Sequence, residues 1–142
     1  MPYFKNQEEM WAIQRAFFDR VARDPVIGPQ LQKSNLIIRF KVHEPDGVVT
    51  INCRDIPEEG KYFATVYGES DLRPDLTLVS SADISHEFWL GRVNIVTALL
   101  SGKTRAEGDI GQAVKFMPVL KPIFEIYPQV LKDLGRGDLI TK

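Results

Sequence analysis

Apolar residues recur at three- and four-residue spacing from the start of the chain. Met10, Ile13, Phe17 and Val21 follow Asn6 and Glu9, a helix cap with an acidic residue three positions on. The pattern predicts an amphipathic helix over residues 6–23, stopped by Asp24-Pro25, and Gly28-Pro29 with Leu31 then reads as a linker or a turn of helix. From Leu36 the period drops to two. Leu36, Ile38, Phe40 and Val42 face one way while Arg39, Lys41 and His43 face the other, which is the pattern of a strand with one wet face. Pro45-Asp46-Gly47 supplies a hairpin turn, after which Val49, Ile51 and Cys53 continue the inward face and Thr50, Asn52 and Arg54 the outward one. Lys61 to Gly68, rich in aromatic and β-branched residues, predicts a third strand, and Leu76 to Val79 a short fourth. Residues 35–79 thus read as a strand meander.

After Ser80-Ser81-Ala82-Asp83, a natural helix start, two short helices are expected within residues 83–101: Ile84 to Leu90, closed by Gly91, and Val93 to Leu100, closed by Gly102. The second is apolar nearly all round, so it is expected to be covered on more than one side. Residues 103–107 fit a fifth strand ending at Gly108-Asp109. Residues 110–134 fit a helical segment that Pro118, Pro122 and Pro128 kink or divide. No internal repeat, low-complexity tract or second boundary interrupts the series. The expectation is therefore one α+β domain spanning residues 1–142.

Composition narrows the class of function. Lys and Arg (18) nearly balance Asp and Glu (19) over 142 residues, and the basic residues are dispersed among acidic ones, which argues against nucleic acid as a partner. Cys53 is the only cysteine, so no intrachain disulfide can form. The first residues hold no apolar stretch of signal-peptide type and no run approaches membrane-spanning length. The expectation is a cytoplasmic protein without stable membrane insertion; the terminal Ile140-Thr141-Lys142 is not a peroxisomal Ser-Lys-Leu address.

The motifs that suggest chemistry have plainer readings. Gly102-Lys103-Thr104 resembles the end of a phosphate-binding loop, but Thr97 stands where its first glycine is required and a helix, not a strand, precedes it, so Gly102 reads as a helix C-cap. Ser81, Asp83 and His86 lack the elbow of a nucleophilic triad and read as capping and solvated residues. His43, Glu44 and Asp46 are too few in histidine for a metal site, and Cys53 reads as an inert core thiol. No cofactor is implied. The unabsorbed feature is a surplus of apolar residues after residue 80, wider than the stripe one surface helix buries: a plain core, a dimer interface or a pocket would each use it.

The run Asp75-Leu76-Thr77-Leu78, Ser81-Ala82-Asp83-Ile84, Gly91-Arg92-Val93-Asn94, Ala98-Leu99, Ser101-Gly102-Lys103, Gly108-Asp109, Ala113 and Lys115-Phe116 resembles the sterol carrier protein type 2 family. Its specificity lies in order and spacing, above all Gly-Lys, four residues, then Gly-Asp between two apolar helices. Upstream, from about Leu31 to Gly68, the element order agrees while residue identity is thin. The resemblance implies a mostly antiparallel twisted sheet of about five strands, helices packed on one face, and an apolar tunnel between the layers. It further implies binding, with transfer or presentation, of a hydrophobic small molecule or lipid, whether sterol, fatty acid, fatty acyl-coenzyme A or phospholipid, and no catalysis. One departure stands out: the family commonly places large aliphatics where this chain has Thr104 and Ala106, which predicts a wider cavity or a weaker fifth strand.

On this reading the ligand-binding candidates are Phe88, Trp89, Ile95, Leu99, Ala106, Phe116, Leu120 and Phe124, the aromatics supplying most area per residue. The first rival is an interaction module without a small-molecule ligand, forming a homodimer or docking on an enzyme through the same apolar helices. The second is an enzyme using His86, Asp83 or Tyr127 as acid or base.

Overall fold

A computed structural model describes residues 2–55 and 60–141, apart from the side chains of Ala113, Phe116 and Met117. Helix α1 (Gln7–Arg23) begins where Asn6 Oδ1 accepts the Glu9 N–H at 2.9 Å, and its three-four spacing buries Met10, Ile13, Phe17, Phe18 and Val21. The Asp24 carboxylate then accepts from the Val26 and Ile27 amides, opening α2 (Ile27–Ser34). The linker or turn of helix expected there is an eight-residue helix. Pro29 is its third residue, inside the first turn, where the missing N–H deprives the helix of nothing.

Five strands follow: β1 (Ile37–His43), β2 (Gly47–Asn52), β3 (Ala64–Tyr67), β4 (Leu76–Ser81) and β5 (Thr104–Gly108), in the order β3-β2-β1-β4-β5. The first three form an antiparallel meander. The fourth corrects the meander expected over 35–79. The chain crosses back through residues 68–75 and β4 pairs in parallel with β1, Ile38 beside Leu76 and Val42 beside Ser80. Alternating apolar residues fix which face is buried but not which strand lies alongside. Asp75 decides the neighbour: its carboxylate accepts the Ile37 N–H at 2.8 Å and both oxygens take Arg54 at 2.7 and 2.8 Å, while its own N–H donates to the Ile37 carbonyl. Strand β5 closes the sheet antiparallel to β4, so the small residues Thr104 and Ala106 do not prevent its pairing.

Helices α3 (Ala82–Trp89), α4 (Ile95–Ser101), α5 (Ile110–Leu120), α6 (Ile123–Asp133) and α7 (Asp138–Thr141) complete the chain. Ser81, Asn94 and Asp109 cap α3, α4 and α5 through their side-chain oxygens. The helical segment predicted over 110–134 divides at Lys121-Pro122, while Pro118 and Pro128 remain inside helices; α7 was not expected. Helix α4 contradicts its expected burial on several sides. Only Ile95 and Ala98 are buried, and Leu100 is 84% exposed, because α4 packs on β5 at the sheet edge with no strand beyond.

Candidate functional site

The register of the sheet sorts its inward side chains into rows. One row holds Ile51, Ile38 and Leu76; the next Val49, Phe40, Leu78 and Ala106; the third Val42, Ser80 and Thr104. Over the first two rows lies a chamber of about 60 Å³. Its helical wall comes from Phe17, Phe18 and Val21 of α1, Leu31 of α2 and the Phe88-Trp89 pair of α3. Ile95, Leu120 and Ile123, from α4, α5 and α6, add to it, and among the described residues every lining side chain is apolar. The aromatic end is interlocked, with Trp89 5.0 Å from Phe17 and 5.5 Å from Phe40 between ring centroids, in the edge-on geometry such rings favour. On the opposite side, Leu120 of α5 is among the described lining side chains.

A second space of about 20 Å³ adjoins the chamber and shares Phe40, Leu78, Phe88, Trp89 and Ile95 with it. Here the third row changes the chemistry. Ser80 and Thr104 lie directly opposite each other across β4 and β5, and Ser85 of α3 faces the same space. The Ser80 hydroxyl donates to the Ser81 carbonyl at 3.1 Å, whereas those of Ser85 and Thr104 have no partner among the described residues. Among the described residues no ionisable side chain lines either space.

Of the eight candidate residues, Phe88, Trp89, Ile95 and Leu120 meet at the chamber. Phe124 stands behind it, its ring 5.5 Å from that of Phe88. Leu99 is half-buried on α4 away from the lining, and Ala106 faces inward opposite Leu78 without lining either space. The Phe116 side chain lies outside those described. Sequence reasoning placed the chamber in the later helices and missed what α1, α2 and the strands contribute. Their signal was present as core periodicity, but periodicity does not separate a residue that faces a void from one that faces another side chain.

The groups that suggested catalysis are elsewhere and occupied. His86 is 1% exposed. Its Nε2 lies 2.9 Å from the Leu139 carbonyl, which can only accept, so Nε2 carries the proton and Nδ1 accepts from the Tyr127 hydroxyl at 2.6 Å. Burial lowers the His86 pKa and raises that of Tyr127, keeping both neutral. Asp83 accepts the Tyr3 N–H and Ser81 caps α3. Asp83 and His86 therefore staple the chain ends to α3, and Ser81 serves as its cap. Cys53 is buried, and desolvation pushes its thiol up to about 11, the state of an unreactive core cysteine.

An apolar chamber beneath helices, on a five-stranded sheet with one parallel pair, invites comparison with proteins that hold lipids. The model of the SCP-2 sterol transfer family matches residues 16–121 of this chain. The chain belongs to the SCP-2 sterol transfer family. Several solved structures share the fold. The sterol carrier protein domain 2 of Helicoverpa armigera is 22% identical with a TM-score of 0.57, over 83% of this chain and 87% of that one. The apo sterol carrier protein 2 of Yarrowia lipolytica is 16% identical with a TM-score of 0.54, over 79% and 86%. The stereoselective inverting sec-alkylsulfatase Pisa1 from Pseudomonas sp. is 14% identical with a TM-score of 0.56 over 72% of this chain, which spans only 15% of that enzyme's length. No curated protein matches the chain.

Membership gives the SCP-2 motif residues a structural meaning. Gly108 adopts φ +99° with an imagined Cβ 2.2 Å from the Asp75 carbonyl oxygen, and the Asp109 N–H donates to that same oxygen at 2.8 Å. Gly102 closes α4 at φ +82°. These positions hold β4, β5 and the adjoining helices together. No helix among the described residues is long and apolar enough to cross a membrane.

Proposed function

We propose that this SCP-2 chain binds a hydrophobic molecule between its sheet and helices and transfers or presents it, without chemistry of its own. The observation that carries the reading is the chamber at the junction of α1, α3, α5 and the sheet, whose described lining is apolar. A space of about 60 Å³ is below the roughly 300 Å³ of a site that takes a whole small ligand. Binding a long chain therefore requires the walls to part. Once the chamber widens, each methylene removed from water contributes about 0.8 kcal/mol, so affinity grows with chain length without specific polar contacts. The test is solvent extraction of the protein purified from cells, followed by mass spectrometry. Stoichiometric lipid is the expected result; protein that carries none and binds no added alkyl chain would overturn the reading.

A second reading rests on a different surface. Val96 and Leu100 of α4 and Ile110 and Val114 of α5 are exposed apolar residues on consecutive helices, as a homodimer or an enzyme-docking module would use. Sedimentation of the wild type and of Leu100→Glu tests it: a dimer that the substitution dissociates supports association through this face, and a concentration-independent monomer removes the homodimer.

A further inference from the structure

Strand β3 forms one edge of the sheet, on a surface distinct from both the chamber and the exposed faces of α4 and α5. We propose that this edge is an association site: β3 pairs antiparallel with β3 of a second copy of this chain, about a two-fold axis at Val66, to make one continuous sheet.

Three observations support it. The first is unpaired backbone. The Gly68 N–H donates to the Val48 carbonyl at 2.7 Å, one step beyond the opposed pair Val49 and Tyr67. Because an antiparallel ladder alternates, Ala64 and Val66 bond to β2 while Thr65 and Tyr67 aim their N–H and C=O groups away from it. Those outward groups have no partner among the described residues. With the two-fold at Val66, Thr65 of each copy stands opposite Tyr67 of the other, and all of them are satisfied. The second observation is an unguarded edge. Edge strands are ordinarily blunted by charge, proline or a covering element. At the far edge, β5 carries the exposed Arg105 and Glu107 and is packed by α4. Ala64-Thr65-Val66-Tyr67 holds neither charge nor proline, and α1 leaves an open groove of about 600 Å³ between its Arg15 and Asp19 and the Thr65 and Tyr67 side chains. The third is charge. Lys61 and Arg23 flank Asp19 at the start of the edge, whereas Glu69 and Asp71, exposed and without an ion pair among the described residues, follow its end. Antiparallel self-pairing sets the basic end of each copy beside the acidic end of the other, twice by symmetry; parallel pairing would set like beside like.

A four-residue edge makes a small interface, so the association is weak and reversible. The test traps it. Val66 meets its own copy as a non-hydrogen-bonded pair, about 4.5 Å between Cα atoms and within reach of a disulfide. The native Cys53 is buried and does not compete. Under mild oxidation of the full chain, Val66→Cys is expected to form a cross-linked dimer at least about tenfold faster than Gln30→Cys, an exposed control on α2, because association makes the step intramolecular. Sedimentation at rising concentration should show a dimer that salt weakens, that Leu100→Glu retains and that Val66→Lys loses, since the lysines would oppose each other on the two-fold. Circular dichroism checks that Val66→Lys has folded; if it has not, the cross-linking comparison decides alone. Cross-linking no faster than the control, with a monomer at every concentration, overturns the inference. So does a dimer that Leu100→Glu dissociates and Val66→Lys leaves intact. Neither result bears on the carrier reading.

Discussion

If the chamber is a true void, filling it should stabilise the protein and abolish uptake together. Leu78 is the position to fill. It lies in the middle of the inward face, between Phe40 and the small Ala106, and borders both spaces. Leu78→Phe places a ring where the structure has about 60 Å³ of empty volume. Empty volume in protein cores destabilises by about 24 cal/mol per Å³, so complete filling is worth about 1.4 kcal/mol. A phenyl ring fills only part of the space, and the expected gain is about 0.5–1 kcal/mol, or a rise of a few degrees in Tm for a chain of this length. Without a void the same change overpacks the core and costs about 1–3 kcal/mol. The two cases differ in sign. Urea denaturation gives the stability and dodecan-1-ol titration gives the uptake. A stabilised variant with affinity reduced about tenfold or more supports the chamber as both void and ligand site. A variant destabilised by more than about 1 kcal/mol shows that no room exists beside Leu78, and one that binds as the wild type does places the ligand elsewhere.

Three further outcomes follow from groups outside the chamber. Burial, together with the nearby Arg92, lowers the His86 pKa from its ordinary 6.5, against the opposing pull of the Leu139 carbonyl, Asp83 and Glu87. The unfolded chain thus takes up this proton first, so the stability is complete above pH 6.5 and falls by up to about 1.4 kcal/mol per unit as pH drops below it. Urea melts from pH 7.5 to 5 should show that slope, and His86→Gln should flatten it. Gly108→Ala forces a Cβ against the Asp75 carbonyl at positive φ and should cost about 1–3 kcal/mol by thermal denaturation, a neutral result refuting the close approach. Cys53, its thiol held near 11, should resist thiol reagents at pH 8 until the protein unfolds, and rapid labelling of the native chain would refute its burial.

Periodicity and capping chemistry made most of the fold legible. Asn6 and Ser81 each announce a helix by a side chain that accepts an amide three residues on, a local interaction that sequence can display. The parallel pairing of β1 and β4 was not legible, because it rests on Asp75 reaching Ile37 and Arg54 across 38 and 21 residues of chain. Helix α4 was misjudged for a related reason. Its composition fits burial on all sides, but its position at the β5 edge leaves Val96 and Leu100 outside. At the site, Phe88 and Trp89 were visible as large apolar residues at a helix end, while Phe17, Leu31 and Leu76 carried only the mark of core.

The residues that reveal the family are not those that would choose the ligand. Asp75, Ser81, Asn94, Gly102, Gly108 and Asp109, the polar and glycine members of the motif, all serve as caps, clamps and tight turns, and none lines the chamber. Such positions tolerate little change because the requirement is geometric: Gly108 meets backbone, which cannot move aside as a side chain can. The chamber demands only apolar bulk, which many residues supply, so its lining can vary while the frame persists. On the carrier reading proposed above, the choice of ligand then falls to the lining and not to the motif positions that reveal the family.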